Sequence, residues 1–181
     1  MKKVVVSSVF MVLFLFMAHA LENNGREEIL HWEKTRKLSW ADFQGFPHAG
    51  SAYQLIGALT SSGIYYDKSC VNGYIAFDVQ AYFEKHNSWV RDEARTDQHL
   101  SHEQVHFDIT ELYSRKITQA LKEKSFKCEQ DEEFEKFMEF MLLKWRSEQI
   151  NYDLATNYSH RHQEQEEWTA KVQDELSELA E

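Results

Sequence analysis

The strongest constraint in this sequence is a change of period near Ser88. Before it, Tyr74, Ala76, Asp78, Gln80 and Tyr82 alternate with Ile75, Phe77, Val79, Ala81 and Phe83, and the second set is wholly apolar. Side chains of a strand point alternately to opposite faces, so this run predicts a strand with one buried face. Another strand is predicted over Tyr53 to Tyr66. Val71-Asn72-Gly73 lies between the two, and Asn-Gly suits a two-residue hairpin turn because both residues tolerate positive φ. After Ser88 the apolar positions recur every three or four residues. Val105, Ile109, Leu112, Ile117 and Leu121 predict a helix over 99–122. Phe134, Phe137, Met138, Met141, Leu142 and Trp145 predict a second over 131–151, and Trp168, Val172, Leu176 and Leu179 a last one. Trp89 to Glu93 reads as the start of a further helix. Strands followed by helices give an α+β fold, a small antiparallel sheet (the hairpin) packed with about three helices.

The first twenty residues stand apart from that domain. Lys2 and Lys3 precede an apolar run from Val4 to Met17, and Ala18-His19-Ala20 places small residues at the −3 and −1 positions of a cleavage site. This is the pattern of a signal peptide cut after Ala20. The run is shorter than the roughly 20 residues that span a bilayer, so no stable membrane anchor is expected. Residues 21–181 then form a single domain that is secreted or periplasmic. Glu22 to Arg36 is polar and reads as a loose lead-in. In "LSWADFQGFP", Leu38 to Pro47, Trp40 and Phe43 read as core anchors and Asp42 as a turn or cap residue.

Without Lys2 and Lys3 the formal net charge goes from −10 to −12. An acidic surface repels phosphate backbones, so no nucleic-acid partner is expected. Cys70 and Cys128 are the two cysteines. Export into an oxidising compartment favours a disulfide over two buried thiols, as one staple rather than the basis of the fold.

The chemistry lies in "HLSHEQVHFDITELYSRKI", His99 to Ile117. Residues four apart on a helix share a face, so His102 and His106 can turn imidazole nitrogens toward one ion. Glu103 sits about 100° round the helix, near that ion without competing for it. Two neutral imidazoles suit Zn2+, and the carboxylate beside them suits the general base that activates a zinc-bound water. A catalytic zinc takes three protein ligands and keeps one position open. Ile109 stands where a helix-ending glycine would have to be for a ligand to follow closely. Asp108 and Glu111 project away from the His102/His106 face. "NYDLATNYSHRHQEQEEW", Asn151 to Trp168, is the remaining donor. Pairing the helix over 99–122 with that over 131–151 brings Asp153 back toward His102, which favours Asp153 as third ligand, with His160 second. His160 and His162 also read as a solvated turn. Tyr152 and Tyr158 are candidates for donating a hydrogen bond to a developing oxyanion, against a reading as packing. Phe107 and Asp108 read as core packing plus a hydrogen bond.

Together these stretches resemble a bacterial family of predicted secreted zinc-dependent proteases, still known largely as a domain of unknown function. The resemblance is carried by "LSWADFQGFP", "SSGIYY" (61–66), "SWV" (88–90), "LSHEQVHFDITELYSRKI" (100–117) and "YDLATNYSHRHQEQEEW" (152–168), and it covers nearly all of residues 21–181. Where the family's tail motif carries His-Gly or His-Ser this chain has Tyr158-Ser159, which again favours Asp153. The resemblance implies a zincin-like metallopeptidase acting on a peptide or protein substrate; the reading of the residues adds His102, His106 and Asp153, against His160 or Tyr158, at the zinc, and Glu103 and Tyr158 in catalysis. The alternative is a non-catalytic exported zinc-binding or protein-interaction module on the same scaffold.

Overall fold

The computed structural model describes residues 29–47 and 56–179. The expected signal segment and Tyr53–Leu55 of the expected first strand lie outside them. Five strands precede three helices: β1 (Ile29–His31), β2 (Ala58–Leu59), β3 (Ser62–Val71), β4 (Tyr74–Glu84), β5 (Trp89–Val90), α1 (Asp97–Lys124), α2 (Asp131–Thr156) and α3 (His162–Glu178). The fold is α+β, with a small antiparallel sheet and three helices.

The hairpin forms where Asn-Gly demands it. Asn72 (φ 51°) and Gly73 (φ 83°) both take left-handed backbone, and Val71 pairs with Tyr74. The register then runs without slip to Ser62 opposite Phe83, so the odd-numbered residues of β4 face the helices. Ala81 and Phe83 are buried beside Phe43 and Phe107, while Ile75, Phe77 and Val79 pack on Ile117, Leu121, Phe134 and Met138. β1 pairs with the far edge of β4, giving the order β1-β4-β3.

Four expectations need correcting. The first strand does not end at Tyr66: β3 runs on to Val71 because the turn register carries Asp67 to Cys70 along. Tyr66 donates to Glu135 (2.8 Å), and Lys68 pairs with Asp131 and Glu135, so its polar groups find partners on α2. Trp89 and Val90 are not the start of a helix. They are buried and pair with Leu59 and Ala58, and only Asp92–Ala94 forms a 3-10 turn. Of the expected loose lead-in, 22–28 lie outside the described residues and 29–32 are not loose, because Leu30 and Trp32 pack into the core and draw Ile29–His31 onto the sheet. Finally, α2 continues past Asn151 to Thr156, since Tyr152 and Thr156 extend its buried side.

The apolar positions expected on α1, namely Val105, Ile109, Leu112, Ile117 and Leu121, are all buried. Asp42 caps its own turn, accepting from Ser39 N (2.9 Å) and pairing with Arg36 (2.8 Å). No helix among the described residues is long and apolar enough to cross a membrane.

Cys70 and Cys128 form a disulfide that joins the hairpin tip to the α1–α2 connection. The same junction carries Ile75 N to Phe126 O (2.9 Å) and Cys128 N to Gly73 O (3.0 Å). The bridge closes a sequence separation of 58 residues, which restricts the unfolded chain by about 4 kcal/mol on the loop-entropy relation. Replacing both cysteines by alanine is expected to lower the unfolding free energy by about 2–4 kcal/mol while preserving the secondary structure. Urea titrations followed by circular dichroism check this.

Candidate metal centre

Helix α1 starts at the Thr96 N-cap, whose side chain accepts from His99 N. Two turns in, His102 and Glu103 are buried, and His106 follows one turn later. α2 returns alongside so that its last turn meets this stretch. His102 Nε2 lies 3.2 Å from Asp153 Oδ1, His106 Nε2 lies 3.0 Å from the same oxygen, and the two imidazole nitrogens are 3.2 Å apart. Among the described residues this is the group of His, Cys, Asp and Glu side chains that could hold a metal ion.

Each of the three side chains is held in a different way. His106 Nδ1 donates to Gln149 Oε1 (2.6 Å), and the Gln149 amide nitrogen donates to His106 O and Thr110 Oγ1 (3.0 Å each). With Gln149 held that way round, Nδ1 keeps its proton, so Nε2 is the nitrogen that faces Asp153 and the cluster, as an N–H while His106 is protonated and as a lone pair once that proton is lost. His102 has no such partner, and its buried Nδ1 is unbonded among the described residues. Its ring is fixed instead by stacking on the fully buried Tyr152, with centroids 4.6 Å apart and planes 20° apart. Asp153 is positioned by the way α2 ends. Asn157, Tyr158 and Ser159 all have left-handed backbone (φ 47°, 53° and 73°), and Tyr158 N donates to Asp153 O (3.0 Å). Left-handed backbone costs about 1–2 kcal/mol per residue for side chains other than glycine. The turn is held by Arg161 N to Thr156 O (2.8 Å) and His160 N to Asn157 O (3.2 Å).

The electrostatics favour positive charge at the convergence point. Burial works against ionisation of Asp153, yet the hydrogen bonds and charges of His102 and His106 hold its carboxyl well below the usual carboxylate range. Burial also works against the His106 imidazolium, but Asp153, Glu103 and Gln149 outweigh it and raise the pKa from 6.5 to about 9. Glu103 adds a buried carboxylate whose Oε2 has no hydrogen-bond partner among the described residues. Such an atom calls for a functional or structural reason. Burial, with the charges of Glu103, Asp153 and Asp108, pushes the Tyr152 phenol far above its ordinary range, so it stays neutral.

The cluster opens into a cleft of about 410 Å³. One wall is Ile56 to Thr60, including β2, and the other carries Trp145, Arg146 and Ile150 from α2. Among the described residues β2 is paired only with β5, and Thr60 Oγ1 ties this wall to α1 by donating to Glu103 O (3.2 Å). A larger depression of about 970 Å³ opens further along α1, but its Glu111 and Arg115 pair with each other (2.7 Å) and gather no ligand set.

The structure brings His102, Glu103, His106 and Asp153 together. Tyr158 lines the rim of the cleft and is 41% exposed. His160 stands outside the three-atom cluster, exposed and edge-on to His99 at 6.4 Å between centroids. Asp108 points away, accepting from Trp32, Gln104 and Gln173. Sequence reasoning passed over Gln149 and His99. Gln149 lies four residues before Asp153, the same helical spacing that links His102 to His106, and His99 lies one turn before Glu103. No protein-family model, curated protein or solved structure matches this chain.

Two outcomes are expected from this geometry. Gln149→Ala should weaken metal binding by about 10–100-fold, the usual effect of losing a hydrogen bond behind a ligating imidazole; metal titration by calorimetry reads it. The pH dependence comes from His106. Its folded pKa is raised, so its stabilisation of metal-free protein is fully present below about pH 6.5 and fades as pH climbs through about 9. A metal on the same nitrogen displaces the proton and removes that dependence. The unfolding midpoint of chelator-treated protein should therefore fall across this window while that of zinc-loaded protein stays level. Parallel declines would place the ion elsewhere.

Proposed function

We propose that this chain is an exported zinc-dependent metallopeptidase with a zincin-like arrangement. The observation that carries the reading is the convergence of His102 Nε2, His106 Nε2 and Asp153 Oδ1 within 3.0–3.2 Å, beside the buried and unpartnered Glu103 Oε2. Ligands at the usual zinc distances of about 2.0–2.1 Å in a tetrahedron stand about 3.3–3.4 Å apart, close to the separations found here. Two imidazoles and one carboxylate are a donor set that zinc favours, and three protein ligands leave a position open. His160 lies outside the cluster, which supports an open site over a closed structural one.

A zinc ion in this position supplies a Lewis acid that polarises a carbonyl and brings the pKa of a water to near 7. The chain's own residues do the rest. Glu103 Oε2, with no competing hydrogen bond, accepts a proton from the attacking water and returns it to the departing amine. Asp153 and the Gln149-held His106 keep the ligand geometry rigid. The wall from Ile56 to Thr60 offers an edge strand along which an extended peptide can lie, and the Tyr158 hydroxyl at the rim is the side-chain donor proposed for the developing oxyanion. The basic, apolar and small-residue signals of residues 1–20 support export.

The test separates binding from chemistry. Wild-type protein purified without chelators or a histidine tag should hold about one zinc per chain, which His102→Ala should lose. Glu103→Gln should keep the zinc and lose at least about 100-fold in cleavage of fluorescent casein. Full cleavage by that variant would remove Glu103 from the mechanism, and a wild type without zinc would remove the reading.

A further inference from the structure

The peptidase reading leaves one cleft-lining imidazole without a role. His99 lies on the face of α1 that carries His102, Glu103 and His106, one turn before Glu103. Thr96 fixes its ring. Thr96 Oγ1 accepts from His99 N (3.2 Å) and stands 2.8 Å from His99 Nδ1. With its oxygen accepting the backbone proton, the Thr96 hydroxyl still has its own hydrogen to give to the Nδ1 lone pair, an arrangement that the Nε2–H tautomer of His99 satisfies. Burial lowers the His99 pKa from its ordinary value; Glu103 opposes this, and His102 and His160 add to it. A neutral imidazole that accepts at Nδ1 carries its proton on Nε2.

That Nε2 faces the peptide-binding wall. A methyl group built on Gly57 would come 3.4 Å from His99 Nε2 and 2.7 Å from Ala94 Cβ, so the ring edge lies against bare backbone where the wall begins. Ala94 already crowds the position, and a side chain at Gly57 would have to displace it. No described residue accepts from Nε2, although the ring lines the cleft. A directed donor beside an edge strand, one turn from the general base, matches a carbonyl oxygen of an extended peptide.

We propose that His99 is a substrate-binding residue whose Nε2–H donates to a main-chain carbonyl of a peptide laid along the Ile56–Thr60 wall, holding it beside Glu103. The assignment rests on the peptidase reading. The donor is preset by a helix cap, so it needs no rearrangement when the peptide arrives.

The test has two arms on zinc-loaded full-length protein. Long-range proton–nitrogen spectra should show wild-type His99 as the Nε2–H tautomer near pH 7.5, with Thr96→Val shifting it toward a mixture. A wild-type Nδ1–H tautomer overturns the proposal without reference to activity. In the second arm, His99→Phe should keep its zinc and raise KM for a quenched fluorescent peptide by about five- to tenfold, the worth of one neutral hydrogen bond. His99→Gln, which restores an N–H donor, should recover most of that loss. An active wild type matched within about twofold by His99→Phe removes this assignment alone, and a zinc-loaded but inactive wild type removes the peptidase reading and this role with it.

Discussion

The structure is organised by the need to satisfy one polar helix in the interior. α1 buries His102, Glu103, Asp108, Thr110 and Ser114 among its apolar residues, and a buried polar group left unpaired costs about 1–3 kcal/mol, more when charged. The partners come from different parts of the chain. Asp108 accepts from Trp32 just after β1 (2.6 Å), from Gln104 one turn back (2.8 Å) and from Gln173 on α3 (2.6 Å). Ser114 donates to Val79 O on β4, and Thr110 meets Ser62, Trp145 and Gln149. An N-terminal segment, the sheet and both later helices are thus drawn to fixed positions on α1 by its polar side as much as by its apolar one. The two buried atoms of this set that stay unpaired, His102 Nδ1 and Glu103 Oε2, both belong to residues of the candidate centre. The interior is satisfied elsewhere along α1 and left open where chemistry is proposed.

The same network makes the site rigid. Thr110 and Gln149 hold the α1–α2 crossing one turn beyond His106, while the Thr60 hydroxyl holds the cleft wall to the backbone of Glu103. On the other side α2 ends in three successive left-handed residues, a conformation that side chains other than glycine avoid. This turn reverses the chain after Thr156, brings Tyr158 to the cleft and leads into α3. Strain held in place by surrounding hydrogen bonds is characteristic of functional positions, where the geometry is dictated by the site rather than by the local sequence.

Much of the fold was legible because each large element carries its own signal. Asn72-Gly73 set the register of the hairpin, and the alternation in β4 gave its buried face. Helical spacing gave all three helices. The reading of Asp153 as close to His102 came from pairing two long helices antiparallel. The misses have physical causes. β1, β2 and β5 are two or three residues long, too short to show a period, and they exist because a core formed elsewhere offers their backbones partners. Trp89-Val90 looks helical when read together with Arg91 to Glu93 and becomes a strand only against Ala58-Leu59. Gln149 is an ordinary polar residue until the fold places it behind His106. The left-handed turn was hidden because Tyr158 and Ser159 advertise no preference for such backbone. His99 was visible as a residue on the right face, but its tautomer depends on a cap that only the helix start defines.

The placement of Asp153 at a helix end has an electrostatic consequence. Asp153 sits in the last turn of α2, where the unpaired carbonyl groups and the aligned peptide dipoles amount to roughly half a negative charge. Within the same space lie the ionised Asp153 and the buried Glu103, and the nearest cationic group among the ligands is His106, whose raised pKa reports that field. A histidine in place of Asp153 would supply a nitrogen but remove the anion that balances the ion. A ligand of that charge at a helix C-terminus therefore does two things at once. It adds a third donor atom beside His102 and His106, and it adds a negative charge that favours a cation or a proton there. In such a field a proton and a metal ion bound as proposed would compete for His106, so the pH response of stability and the occupancy of the site would be two views of one equilibrium.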